Sequence, residues 1–190
     1  MHFKTARPDV VRAINHRWLL KFWQRHLNGS RLPAWQAVES EDLSRINASL
    51  SFLEVSGTPP AERYRIAFHG ATVGMVYGSA DCRGKYLDEI MPLNNANALA
   101  AYRRAVESAA PVYTIHDIAD RDGRAVAYER LLLPFAAAGD GVDRVMASFE
   151  FICEDGAFER NELMKSQTAP PALRLSAVID IRTLTPPSAA

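Results

Sequence analysis

The sequence predicts an α+β protein: a five-stranded antiparallel sheet with helices on one face and a helical extension at its N-terminus. Three observations predict it. Apolar residues recur at helical spacing as far as residue 50, and from Ser51 the period changes to two. A first pair of strands is separated from a later run of three by a glycine-punctuated stretch and one long helical segment. Five strands are too few for a sandwich, so one sheet with helices laid on a face is the natural packed arrangement.

The elements follow in order. Residues 9–27 read as a helix, started by Pro8-Asp9 and ended by Asn28-Gly29. Val11, Ile14, Trp18 and Phe22 form one apolar flank, and Leu19, Trp23 and Leu27 a second. After a loop through Pro33, Ser40 can cap a shorter helix with Leu43, Ile46 and Leu50 as its stripe. Strands are expected at 52–55 and 62–68, joined by the turn Gly57-Thr58-Pro59-Pro60, with Tyr64, Ile66 and Phe68 on one side. Asn95 or a neighbour caps a helix over 96–109 that carries Leu99, Tyr102, Val106 and Ala109 on one face. Strands at 111–119, 126–136 and 143–152 are divided by Asp122-Gly123 and Gly139-Asp140-Gly141. Leu131-Leu132-Leu133 is apolar at both parities, which implies a sheet covered on both faces. Alternation at 173, 175, 177, 179 and 181 allows an added strand. The chain thus divides into a helical extension (1–50) packing on the sheet or a partner, a core (51–154) and a C-terminal tail (155–190).

Composition narrows the classes. Of 190 residues 48% are hydrophobic and 23% charged, so a packed core is expected. Twenty-two basic residues balance 22 acidic ones, which argues against a nucleic-acid or anionic-membrane surface. No stretch has the run of apolar residues a membrane span needs, and Met1-His2-Phe3-Lys4 does not read as a signal peptide. Cys82 and Cys153 are too few for a metal cluster or a disulfide scaffold. A cytoplasmic protein is expected.

Local sequence carries a resemblance. Its segments are Leu20-Lys21-Phe22-Trp23, Gly29-Ser30-Arg31-Leu32-Pro33, Arg63-Tyr64-Arg65-Ile66, Arg83-Gly84-Lys85-Tyr86-Leu87-Asp88-Glu89-Ile90 and Tyr128-Glu129-Arg130-Leu131-Leu132-Leu133-Pro134, with Gly141-Val142 before the last strand. In this order over about residues 20–152, the chain resembles a PAS domain of a bacterial branch found as short stand-alone proteins. Two departures stand out. Trp35-Gln36-Ala37-Val38 replaces an acidic-proline motif, and Phe68-His69-Gly70 stands where a glycine followed by a small hydroxyl residue is expected.

The resemblance implies a sensor or regulatory module with a cavity between sheet and helices, signalling through protein–protein contacts. The tyrosines fall between 64 and 128, and Tyr64, Phe68, Tyr86, Tyr102, Tyr113 and Tyr128 are the candidate lining, with Arg130 nearby. Arg130 either holds an anionic or carbonyl-bearing ligand through its fork of donors or pairs with Asp88 or Glu89 to fix a loop. Asp81-Cys82-Arg83 is similar to the core of flavin-binding PAS domains, but Cys82 precedes the glycine that the photoactive cysteine should follow. Haem-binding PAS domains present their histidine from the helical segment, whereas His69 reads as a turn residue. Neither flavin nor haem is expected. His116, Asp117, Asp120 and Asp122 read as a carboxylate-rich turn rather than a metal site. No catalytic motif is present. The alternatives are a small enzyme using His69 or Asp88 as base, and a ligand-free interaction scaffold with a core closed by Phe149, Phe151 and Tyr102. A homodimer is also expected, through Trp18, Leu19, Phe22 and Trp23, because one sheet face should not cover both flanks of the first helix. A separate signalling protein is the other expected partner.

Overall fold

Seven strands form one sheet: β1 (Lys4–Ala6), β2 (Leu50–Ser56), β3 (Arg63–His69), β4 (Val112–Ala119), β5 (Ala125–Phe135), β6 (Arg144–Ile152) and β7 (Ala172–Ile179), in the spatial order β1-β7-β4-β5-β6-β2-β3. The α-helices are α1 (Ile14–Arg25), α2 (Gln36–Glu39), α3 (Ala71–Tyr77), α4 (Leu87–Ile90) and α5 (Ala96–Ser108). The computed structural model describes residues 1–79, 81–90 and 96–181, so the expected cap at Asn95 lies outside the described residues.

The expected five strands form the block β4-β5-β6-β2-β3, antiparallel throughout. The sheet has seven rather than five because β7 pairs antiparallel with β4, and β1 then pairs parallel with β7. Without β7, a largely buried β4 would be an open edge, which proteins avoid. The alternation at 173–181 signals β7. The three residues of β1 carry no periodic signal at all.

Period two sends alternate residues of β4, β5 and β6 to opposite cores. Inward, Val112, Tyr128, Leu132, Val145, Ala147 and Phe149 meet Val73, Val76, Ala101, Tyr102 and Ala105 of α3 and α5. Outward, Tyr113, Leu131, Leu133, Phe135 and Met146 meet Leu19, Phe22 and Trp23 of α1 with Leu32, Val38 and Leu43. Helices therefore cover both faces, α3 and α5 the inner and α1 of the N-terminal extension the outer, as the Leu131–Leu133 run implies.

Two helices differ from expectation. α1 starts at Ile14, not residue 9, because Pro8 opens a 3-10 turn (Pro8–Val10) and the chain then runs extended through Val11 and Ala13. Ser40 ends the short α2 instead of opening a helix: its hydroxyl donates to Ala37 O, and Asp42 accepts from the Ser44 N–H. Such side-chain bonds compete with helical ones, so residues 43–50 form turns and a 3-10 segment.

A bulge decides the face of one predicted site residue. Leu53 pairs with Ile66 but Phe52 with Phe68, so Ala67 is an extra residue on β3. Phe68 is thereby turned to the outer core, where its ring packs 4.9 Å from Phe52. The chain then passes close over the 3-10 segment at Gly70, where a Cβ would lie 2.3 Å from Asn47 O.

Candidate functional site

The inner face of the sheet and the helices α3, α4 and α5 enclose a cavity of about 20 Å³. Its floor is Ser51, Ile66, His69 and Phe149, and its roof Val73, Tyr77, Leu87, Ile90 and Tyr102. That volume accommodates a water molecule; an organic ligand requires the roof to yield. His69 is the last residue of β3 and a wall of this cavity, not a turn residue as expected. Its Nδ1 lies 3.3 Å from Ser51 Oγ, and burial lowers its pKa, so the ring is neutral.

Beside the cavity the tyrosines interlock. Tyr77 and Tyr128 share a hydrogen bond of 3.0 Å between hydroxyls, and Tyr128 stacks between Phe149 and Phe151. Tyr64 packs on Tyr102 at 5.4 Å and donates to Glu62, whose carboxylate also accepts from Arg103 at 2.6 Å. Burial pushes the pKa of Tyr64, Tyr77 and Tyr102 up, so all three are neutral phenols. Arg130 faces this side, with its guanidinium carbon 5.3 Å from the Tyr102 ring centre and 5.9 Å from that of Tyr128. It pairs with neither Asp88 nor Glu89, because both of those hold Arg63.

The predicted lining is thus brought together in part. Tyr64, Tyr102, Tyr128 and Arg130 share the inner core. Three residues do not join them. Tyr113 has the opposite parity on β4, so it faces α1, donates to Glu129 Oε2 at 2.5 Å and accepts from the Arg12 N–H. Phe68 is displaced by the bulge. Tyr86 sits outside the edge strand, where Arg63 lies 3.7 Å over its ring. Of the predicted lining only Tyr102 borders the cavity itself; sequence reasoning missed Ser51, Ile66, Val73, Tyr77, Leu87 and Ile90 as lining, and it treated Phe149 as filling only. Parity along β2 and β6 points Ser51 and Phe149 inward, and that signal was available.

Other candidates are dispersed. Cys82 is buried, with Sγ donating to Ser79 Oγ. His116 points inward, Asp117 pairs with Arg174, and Asp120 accepts the N–H groups of Asp122 and Arg124 in the β4–β5 turn. Among the described residues no group of three or more His, Cys, Asp or Glu could hold a metal ion.

On the outer face, Leu19, Phe22 and Trp23 are buried within their own chain, and Trp23 Nε1 donates to Pro134 O at 2.6 Å. One flank was expected to be left for a second copy; instead, the segment around Leu32, Val38 and Leu43 closes over it. The large apolar residues that α1 leaves in solvent are Ile14 (76% exposed) and Trp18 (38%). His16 is buried with its Nδ1 3.9 Å from Glu129 Oε2, and burial lowers its pKa to about 3.

Among the described residues no helix is long and apolar enough to cross a membrane. No curated protein matches the chain. A family model described as PAS domain matches residues 11–149, a span that includes α1, the strands β2 to β5, the inserted helices and β6 as far as Phe149. Sheet order and family match agree, and the chain belongs to the PAS domain family.

Proposed function

We propose that this chain, as a PAS domain a sensory or regulatory module in general, takes a small molecule into the inner cavity and passes the change on through its surface. The observation that supports this reading is the two-sided character of α4. Leu87 and Ile90 line the cavity, while Asp88 and Glu89 of the same turn hold Arg63 on the exposed edge strand β3. A ligand that lifts Leu87 and Ile90 also moves the carboxylates that fix Arg63, so occupancy alters a surface another protein can read. A second copy of the chain is one such reader, and Ile14 and Trp18 are the apolar residues α1 would offer it.

Native mass spectrometry of freshly purified protein, followed by thermal unfolding against a metabolite library, tests the reading. A retained or stabilising compound is expected, with altered amide exchange at residues 63–66 and 86–90. Binding that leaves those amides unchanged would detach α4 from signalling. Absence of any binding would favour the ligand-free scaffold, the reading supported by the close packing of Phe149, Phe151 and Tyr102.

A further inference from the structure

We propose that the inner face binds a small organic monoanion, a carboxylate on an apolar body, with its head on Arg130 beside Thr114 and His116. This rests on the reading of that face as the ligand side of the module. The three residues are neighbours: Thr114 pairs across the strands with Arg130, and His116 with Tyr128 two positions along. Thr114 is 0%, Arg130 1% and His116 4% exposed. Among the described residues, Thr114 Oγ1, Arg130 Nε and Nη2, and His116 Nδ1 have no hydrogen-bond partner. Buried polar groups in proteins are satisfied with few exceptions, and an unpaired buried charge is the costliest exception. Here four such atoms share one patch of one sheet face.

Among the described residues no carboxylate pairs with Arg130. Asp88 and Glu89 hold Arg63, Glu62 holds Arg103, and Asp120, at the same strand parity as His116, accepts the N–H groups of Asp122 and Arg124 through one oxygen in the β4–β5 turn. Glu129 follows strand parity to the other face. Residues 80, 91–95 and 182–190 contain no Asp or Glu. Two rings, of Tyr102 and Tyr128, flank the guanidinium, but an aromatic face is no carboxylate and offers the N–H fork no pair of acceptors.

The same groups select the ligand. Burial and the nearby Arg130 lower the pKa of His116 to about 4, so at neutral pH the patch holds one fixed positive charge. A monoanion matches it; a phosphate dianion would carry one charge unmet. The guanidinium fork fits a carboxylate edge with two parallel N–H donors, and the Thr114 hydroxyl and neutral imidazole can donate to the remaining lone pairs. Tyr102, Tyr128 and Phe149 around it offer aromatic surface for an apolar body.

Titration calorimetry and thermal unfolding of the full chain test the inference, with acetate, propionate, benzoate and phenylacetate as probes. Benzamide and phenylacetamide serve as uncharged counterparts and inorganic phosphate as the dianion, all in chloride-free buffer. At least one carboxylate is expected to raise Tm in a dose-dependent way and to bind at least ten-fold more tightly than its amide. Arg130→Met should abolish that response, and Thr114→Val should weaken it about ten-fold, as loss of one good hydrogen bond implies. Equal binding of amide and acid, stronger binding of phosphate, or an unchanged response in Arg130→Met would each overturn the assignment. Should Arg130→Met fail to fold, the acid–amide comparison on the native chain decides alone. Binding of neutral compounds only would remove the anion and leave the sensor reading standing. No binding by any compound would remove both.

Discussion

Trp23→Phe and Trp23→Ala separate a helix that completes its own domain from one that waits for a second copy. Trp23 is buried against the outer core, and its indole N–H meets Pro134 O at 2.6 Å inside β5. Phenylalanine keeps most of the packing but leaves that carbonyl without its side-chain donor, a loss of about 1–3 kcal/mol for a buried group. The two missing ring carbons add about 1.5 kcal/mol of lost burial. The sum is about 2.5–4.5 kcal/mol for Phe, and the truncation to Ala should reach about 5 kcal/mol by opening a cavity. For a chain of this length each kcal/mol moves Tm by about 2–4 °C, so Trp23→Phe should melt roughly 5–18 °C lower. Circular dichroism at several protein concentrations is the assay, since the substitution removes a fluorophore. The loss should be the same at every concentration, because the partners of Trp23 lie in its own chain. A Tm that rises with concentration in the parent and loses that dependence in the variant would refute the reasoning, since only coupled association behaves that way.

Acid should weaken the fold through its buried imidazoles. His116 is held at about 4 in the fold against 6.5 unfolded, so its neutral form favours folding above 6.5 and that advantage is lost as pH falls from 6.5 toward 4. Urea titrations should show about 2 kcal/mol less acid loss between pH 7 and 5 in His116→Gln, and an identical loss in parent and variant would contradict the burial argument. Deleting Ala67 removes the extra residue of the β3 bulge and leaves Phe68 next after Ile66, so alternation keeps its ring on the outer face opposite Phe52 and the variant should fold with a loss of no more than about 1–2 kcal/mol; a deletion that fails to fold would show that the bulge does more than set the face of Phe68. Gly70→Ala places a methyl group 2.3 Å from Asn47 O and 2.4 Å from Ala48 O, and a loss of about 2 kcal/mol or more is expected in urea unfolding. The purified protein should show no flavin or haem absorption, given where Cys82 stands relative to Gly84; a stoichiometric visible band would reverse that expectation.

Much of the fold was legible because strand parity is a local signal. Tyr128, Leu132, Phe149 and Tyr64 lie on the face that simple alternation assigns them, and so does Tyr113, once β4 is read in register with β5. Grouping Tyr113 with the inner tyrosines ignored that rule rather than exposing its failure. Phe68 is different. A bulge of one residue leaves no mark in the pattern Tyr64, Ile66, Phe68, because the extra alanine is as compatible with one register as with the other. β1 and the cover over α1 were illegible for a third reason. They are held by pairing with β7 and by the burial of Leu32, Val38 and Leu43, and such long-range partners have no local signature.

The adjacent pair Glu129-Arg130 shows why a bare arginine can exist in a core at all. Successive side chains of a strand leave on opposite faces, so the two charges sit on either side of one backbone. Through the sheet they attract, and that attraction offsets part of the cost of burying each. It cannot satisfy donors, since hydrogen bonds need contact and direction. Glu129 has its own donor in Tyr113, and His16 Nδ1 lies 3.9 Å away; among the described residues Arg130 Nε and Nη2 have no acceptor. The strand therefore offsets part of the cost of its charges and leaves its hydrogen bonds unbalanced. The deficit falls on the inner face, beside the cavity and the helices that enclose it. A carboxylate arriving there adds contacts that Glu129 cannot make from the far side, so ligand affinity and tolerance of the free arginine follow from the same geometry.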